Sequence, residues 1–239
     1  MSINILITGG SSGIGKATAN LLKKKGHNVI ITGRDPVKLK QVAEFIGCDY
    51  FSADQSKEEE VNNLYSYVLD RFSSVDVIIN NASVGSSREP IENIHLSDFW
   101  DVFSINVFGI FNITQKFINI LKTQKAGIVI NVGSTCTFDG YEGGSVYVSS
   151  KCALEGLSKC WRYELSKYNI KVTHIIPGNV STAWGNNLRV EETLNEKKLD
   201  PVNIGELIAN ILEFDQNVII PEVIISPLAT YQENTPLFD

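Results

Sequence analysis

The chain has 239 residues, of which 43% are hydrophobic and 20% charged, with 18 glycines, 4 cysteines and a formal net charge of −6. A chain of this length buries roughly 70% of its unfolded surface, so a core forms without staples, and the composition excludes disorder and collagen-like repeats. The acidic balance argues against nucleic acid as a partner, and the longest nearly apolar run, within 99 to 121, is too often interrupted by Asp101, Asn106, Asn112, Gln115, Lys116 and Asn119 to span a membrane.

The first apolar run, residues 3 to 8, reads as a strand and begins almost at the N-terminus, with no basic segment and h-region before it. A cytoplasmic protein is expected. Cys48, Cys136, Cys152 and Cys160 form no C-x-x-C pair and no metal pattern with His27, His95 or His174, so reduced thiols and no metal are expected. The strand runs into T-G-G-S-S-G-I-G, Thr8 to Gly15, followed by an amphipathic helix from Lys16 to Lys25. Glycines at 9, 13 and 15 permit a tight turn that presents backbone N–H groups and a helix N-terminus to an anion, a pyrophosphate in this strand-turn-helix order.

The second strand, 28 to 32, ends in I-I-T-G-R-D. An acid at this point would hold the ribose hydroxyls of NAD, whereas an arginine accommodates the 2′-phosphate of NADP. Gly33 stands at the acid's place and Arg34 follows, which favours NADP(H) over NAD(H). Against this stands the reading in which Arg34 is solvated and Asp35 is the ribose acid. A third strand follows at 49 to 53; Ser56 with Glu59 then reads as an S-x-x-E capping box, and a fourth strand covers 76 to 80. The loop at 81 to 96 breaks the rhythm, as does 178 to 200, and loops of that length suit a substrate mouth. Between them lie a helix at 97 to 122, a strand at 127 to 133, a helix at 144 to 168 and a strand at 171 to 176. Phe99, Phe103, Val107, Ile110, Thr114, Phe117 and Leu121 recur at helical spacing on the first of these helices, a stripe for the core or a subunit interface. Asp200 and Pro201 start a last long helix, and 217 to 226 reads as a seventh strand.

Seven apolar strands alternating with helices predict an α/β fold: a three-layer, doubly wound parallel sheet with helices on both faces, in one domain over 1 to 239. Y-V-S-S-K, Tyr147 to Lys151, opens the second long helix. Residues four apart share a helical face, so a phenol and an ammonium act on one small site, and the cation is expected to lower the phenol's pKa toward working pH. His174 reads as a hydrogen-bonded core residue.

With T-G-x-x-x-G-x-G at 8 to 15, N-N-A at 80 to 82, Asn106, Ser134 thirteen residues before Tyr147, and P-G-x-V-x-T at 177 to 182, the sequence resembles the short-chain dehydrogenase/reductase family in its compact form. The resemblance implies hydride transfer between a nicotinamide and a carbonyl or secondary alcohol. It implies Tyr147 as general acid/base, Ser134 as partner of the reacting oxygen, Lys151 on the nicotinamide ribose, and Asn106 as anchor of a water joining that lysine to solvent. It places Gly9, Ser11, Ser12, Gly13, Ile14 and Gly15 around the pyrophosphate, Arg34 at the 2′-phosphate, Asp54 at the adenine, Asn81 and Ala82 along the adenosine and nicotinamide, and Pro177, Gly178, Val180 and Thr182 at the carboxamide. A small-molecule substrate and a homodimer or homotetramer go with it.

Two departures from the family pattern are Ser83, where N-N-A-G ends in glycine, and Gln55, where Val or Leu commonly follows Asp54. Neither is expected on the hydride path. N-V-G-S-T at 131 to 135, Y-x-G-G-x-V-Y at 141 to 147 and P-E-V-I-I-S-P-L at 221 to 228 resemble the NADP-dependent 3-hydroxy acid dehydrogenases of serine or allo-threonine type. Substrate choice is assigned to a loop or lid at 183 to 199, where the amphipathic spacing of Trp184, Leu188, Val190 and Leu194 fits a lid or plain core packing, and where Arg189, with Arg88 in the earlier loop, is either a carboxylate clamp or solvated. Reduction of a 3-oxoacyl thioester and a non-catalytic, NADP(H)-binding redox sensor are the alternatives; retention of Asn106, Ser134, Tyr147 and Lys151 speaks against the sensor.

Overall fold

The structure, a computed structural model, describes residues 2–182, 195 and 197–232. Seven parallel strands form one sheet: β1 (Asn4–Thr8), β2 (Asn28–Gly33), β3 (Asp49–Ser52), β4 (Val77–Asn80), β5 (Gly127–Val132), β6 (Ile170–Pro177) and β7 (Glu222–Ile225), in the order β3-β2-β1-β4-β5-β6-β7. Strand side chains alternate between two apolar layers, as period 2 requires. Leu6 and Val129 join one, where α3 (Glu58–Phe72), α5 (Ile110–Gln124) and α6 (Ser145–Ser166) pack, whereas Ile5, Ile7 and Ile130 join the other, covered by α1 (Gly13–Lys24), α2 (Pro36–Ile46) and α7 (Pro201–Glu213). The predicted doubly wound fold is therefore the observed one. Strand order reverses between β1 and β4, and the crevice beyond the carboxyl ends of those strands is where open α/β sheets hold ligands.

Three local expectations are corrected. The helix predicted over 97 to 122 is α4 (Leu96–Phe103), a π-helical turn over Ser104–Gly109, and then α5. The strand predicted over 217 to 226 begins only at Glu222: Pro221 has no N–H for a ladder, and its carbonyl instead accepts from His174 N–H and Arg162 Nη2. The Ser56 hydroxyl does not cap α3; it donates to Asp54 Oδ1, while Lys57 occupies the cap position. By contrast Asp200 caps α7 as predicted, accepting from Val202 N–H at 2.8 Å in a box with Asn203. The apolar stripe divides: Val107, Ile110, Phe117 and Leu121 are core, whereas Phe99 and Phe103 are half-buried, and Trp100, Phe108 and Phe111 beside them are exposed. A short α8 (Ala229–Gln232) closes the described chain, and among the described residues no helix is long and apolar enough to cross a membrane.

Candidate active site

The glycine turn closes over its own backbone. Gly9 and Gly13 have φ of +66° and +49°, and a Cβ on Gly15 would lie 2.4 Å from Gly9 O, so a side chain there would displace the turn. Asn81 locks the turn from the neighbouring strand, its Nδ2 donating to Thr8 O (2.9 Å) and Gly9 O (3.2 Å), while Thr8 Oγ1 accepts from the Asn81 and Ala82 N–H groups. Thus Asn81 and Ala82 form the wall of the turn. Ser12 occupies the N-cap of α1 without using its hydroxyl as a cap, so the first-turn N–H groups of the helix can receive an anion. Ile14 and Gly15 begin that helix. These features fit a dinucleotide pyrophosphate. Thr182 packs on the same turn, since a Cβ on Gly13 would stand 3.0 Å from Thr182 Cγ2. Behind it Pro177 ends β6, the Gly178 N–H donates to Ile225 O, and Val180 bridges Leu199.

At the end of β2 a Cβ on Gly33 would find only Leu39 Cδ1 and Ser11 Oγ, both 3.7 Å away, so the position is open. Arg34 is exposed beside it, and Asp35 is the N-cap of α2, with Oδ1 accepting from Val37 and Lys38 N–H groups at 3.0 Å. Asp54 is tied locally, accepting from Ser56 N–H and Oγ.

Ser134 lies two residues beyond the end of β5, where it caps a short 3-10 turn over Thr135–Thr137, beside two residues of α6. A hydrogen bond joins Tyr147 to Ser134, and Lys151 Nζ sits 5.7 Å from the centre of the Tyr147 ring while donating to Val132 O at 3.0 Å. Tyr147 and Lys151 are both buried. Burial raises the Tyr147 phenol well above its ordinary value, with the Ser134 hydrogen bond acting the other way, and the same burial pulls Lys151 down to about 8. The expectation of a lowered phenol pKa is therefore corrected: burial raises it, and the side chain that acts downward is Ser134 through its hydrogen bond. Asn106, in the π turn, completes the group. Its Oδ1 accepts from Ser83 Oγ (3.1 Å) and Val84 N–H (2.8 Å), and its Nδ2 donates to Val84 O (2.9 Å) and Ser150 Oγ (3.1 Å). All four capacities of the side-chain amide are used, so the expected water would fall to the backbone carbonyl rather than to the side chain.

Of the residues around this group, Cys136 carries no sequence signal of its own, whereas Arg88 is one expected at a carboxylate. Cys136 is buried beside Ser134, with its N–H donating to Ser134 Oγ at 3.3 Å, and burial raises its thiol pKa. Arg88 lies over the Tyr141 ring at 4.9 Å, and its backbone is in contact with Gly143, whose φ is +74°. Trp184, Leu188, Arg189, Val190 and Leu194, and with them most of the predicted lid at 183 to 199, lie outside the described residues.

His174 is a core residue, as predicted. Ser158 Oγ spends its proton on Leu154 O and accepts from Asn131 Nδ2, so its remaining lone pair takes a proton from His174 Nδ1, fixing the tautomer. The Nε2 lone pair abuts Gly133, where a Cβ would be 2.3 Å away. Desolvation holds this imidazole down to about 4, neutral at working pH.

The sequence profile of short chain dehydrogenases matches residues 4–193. The chain belongs to the short-chain dehydrogenase/reductase family. It is an oxidoreductase on a nucleotide-binding Rossmann fold. An uncharacterized oxidoreductase of Staphylococcus aureus is 30% identical over 227 residues, covering 93% of this chain and 96% of the relative. Among solved structures, an alcohol dehydrogenase from the archaeon Thermococcus sibiricus complexed with 5-hydroxy-NADP superposes with a TM-score of 0.88 at 26% identity, over 96% of this chain and 98% of that one. The closed form of a serine dehydrogenase complexed with NADP+ superposes with a TM-score of 0.86 over 93% and 94% of the two chains; at 22% identity it shares the fold.

Proposed function

We propose that the chain is an NADP(H)-dependent enzyme that interconverts a small carbonyl and its secondary alcohol, with 3-hydroxy acids as the substrate class. The observation that carries the reading is the joining of Tyr147 to Ser134 over a buried Lys151, next to a glycine turn shaped for a pyrophosphate. The dinucleotide, held by the glycine turn, the wall at Asn81 and Ala82, Asp54, and the segment from Pro177 to Thr182, supplies the hydride or accepts it. The protein's residues manage the proton and the oxygen. Ser134 Oγ hydrogen-bonds the reacting oxygen, Tyr147 Oη gives it a proton during reduction or takes one during oxidation, and Lys151 holds the ribose and passes charge toward the Asn106 backbone. A buried phenol kept protonated suits the acid role, because it meets an incoming carbonyl with its proton in place.

Three observations support NADP(H): the open position at Gly33, the exposed Arg34 next to it, and the engagement of Asp35 as a helix cap, which draws the nearest acid away from a ribose. The NADP-type ligands in the superposed alcohol and serine dehydrogenases agree with it. Arg34→Ala is expected to weaken NADPH by about a hundredfold and NADH by less than about threefold, since only the former loses a charge-assisted phosphate contact; fluorescence titration with both cofactors measures this, and equal losses would overturn it.

The acid class is supported by Arg88, held on Tyr141 near the reacting pair and without an ion-pair partner among the described residues. Arg88→Met is expected to raise KM for 3-hydroxybutyrate about tenfold and to leave KM for a neutral secondary alcohol unchanged, as loss of a ground-state contact does. Equal changes for both would remove the acid from the proposal. The exposed Trp100, Phe108 and Phe111 on α4, the π turn and α5 support a homo-oligomer, and four free cysteines suit the cytoplasm.

A further inference from the structure

The two positions at which the chain departs from the family pattern converge on one place. Ser83 Oγ donates to Asn106 Oδ1 at 3.1 Å. Gln55, which directly follows Asp54, is only 5% exposed and reaches the same turn from the other side: its Nε2 donates to Ile105 O at 2.8 Å and lies 3.5 Å from Ala82 O. Both partners are carbonyls, so the donor end of the amide must face them. Gln55 O accepts from Asn112 Nδ2 at 3.1 Å, and Gly109, which ends the π turn, is so close that a Cβ would lie 2.6 Å from Gln55 Cγ. One residue therefore touches the π turn at its second and last positions and the first turn of α5, and ties them to the wall of the cofactor crevice.

A π turn interrupts the regular ladder of a helix, and such turns recur at functional sites because they re-aim a residue. Here the re-aimed residue is Asn106, adjacent to Ile105. We propose that Gln55 is a positioning residue: it pins the π turn through the Ile105 carbonyl and sets Asn106 against Ala82, with Ser83 as the second strut. An apolar side chain of equal length would fill the space and remove the buried Oε1, which has no hydrogen-bond partner, but it would leave the Ile105 carbonyl without its outside donor and so free the π turn. Neither residue is thereby placed on the hydride path; both hold the residue that leads protons from Lys151. The proposal rests on that reading of Asn106.

The test uses the full chain with Gln55→Met, Ser83→Gly and Asn106→Ala, followed by amide hydrogen exchange in peptides spanning 104 to 110 and by oxidation of 3-hydroxybutyrate with NADP+. In Gln55→Met, exchange over 104 to 110 is expected to rise about tenfold while β1 and α1 stay protected, and in Ser83→Gly by about threefold. For both variants kcat should fall, by about tenfold in Gln55→Met, with KM and NADPH affinity within about threefold, and the pH profile should shift. Wild-type protection of the π turn in both variants overturns the proposal, as does equal loss of protection throughout the domain. If Gln55→Met does not fold, Gln55→Leu, which also removes the donor to the Ile105 carbonyl, is read in its place with the same expected and overturning outcomes. Full turnover by Asn106→Ala would instead remove the role of Asn106, and the exchange data would still decide whether Gln55 holds the turn.

Discussion

Tyr147→Phe leaves the chain folded and the dinucleotide bound, and lowers turnover by about a hundredfold to ten-thousandfold, the range attributed to general acid–base catalysis. One oxygen is removed and nothing else. The ring is buried in the first turns of α6, and its packing and its contact with Lys151 Nζ at 5.7 Å survive in phenylalanine. Ser134 remains oriented by the Cys136 N–H, so the reacting oxygen keeps one partner and loses only its proton source. A water molecule is a poor substitute in a buried position. NADPH fluorescence titration and single-turnover hydride transfer separate binding from chemistry: unchanged binding with lost transfer is the expected pair, and retained turnover would refute the role.

Lys151→Met is the second large effect, and it runs in two directions. Turnover and ribose binding fall, while the unliganded protein becomes more stable at pH 7. Lys151 is 2% exposed, and desolvation lowers its pKa from 10.5 to about 8, which means that the buried cation is destabilising wherever both folded and unfolded chains carry it. At 1.36 kcal/mol per unit that penalty is about 3 kcal/mol, of which losing the bond to Val132 O returns about 1, for a net gain of about 2 kcal/mol. In a domain of this size the melting temperature should rise by about 4–8 °C. The unfolded chain holds more protons than the folded one between about pH 8 and 10.5, so wild-type stability climbs across that window and the advantage of the variant shrinks there. Calorimetry at pH 7 and pH 10 measures both arms; a variant less stable than wild type at pH 7 contradicts the assignment. This is stability given up for function, a common arrangement at active sites.

How much of this was legible in the sequence depended on whether a signal was local. The glycine turn, the pair Tyr147 and Lys151 on one helical face, and the apolar strands are local patterns, and each is found where its spacing places it. The helix cap at Asp200 belongs with them. Ser56 misled because its hydroxyl had a nearer acceptor, Asp54 Oδ1 at 2.8 Å, than any helix N–H. The π turn was invisible because its supports come from far along the chain: Gln55 reaches Ile105 across fifty residues, and Ser83 reaches Asn106 across twenty-three. The direction of the Tyr147 shift was misjudged for a related reason, since it is set by burial in the assembled fold, which sequence spacing does not show.

The contact between His174 and Gly133 binds the histories of two positions that lie forty-one residues apart. As long as the imidazole occupies its place, even a methyl group at 133 has nowhere to go; as long as glycine stays at 133, a smaller residue at 174 opens a void next to Ser134. Each blocks the other's single-step change. A lineage or a directed library that remodels the floor of this active site must therefore alter both codons together, and a search one substitution at a time will see two fixed positions where there is one adjustable pair.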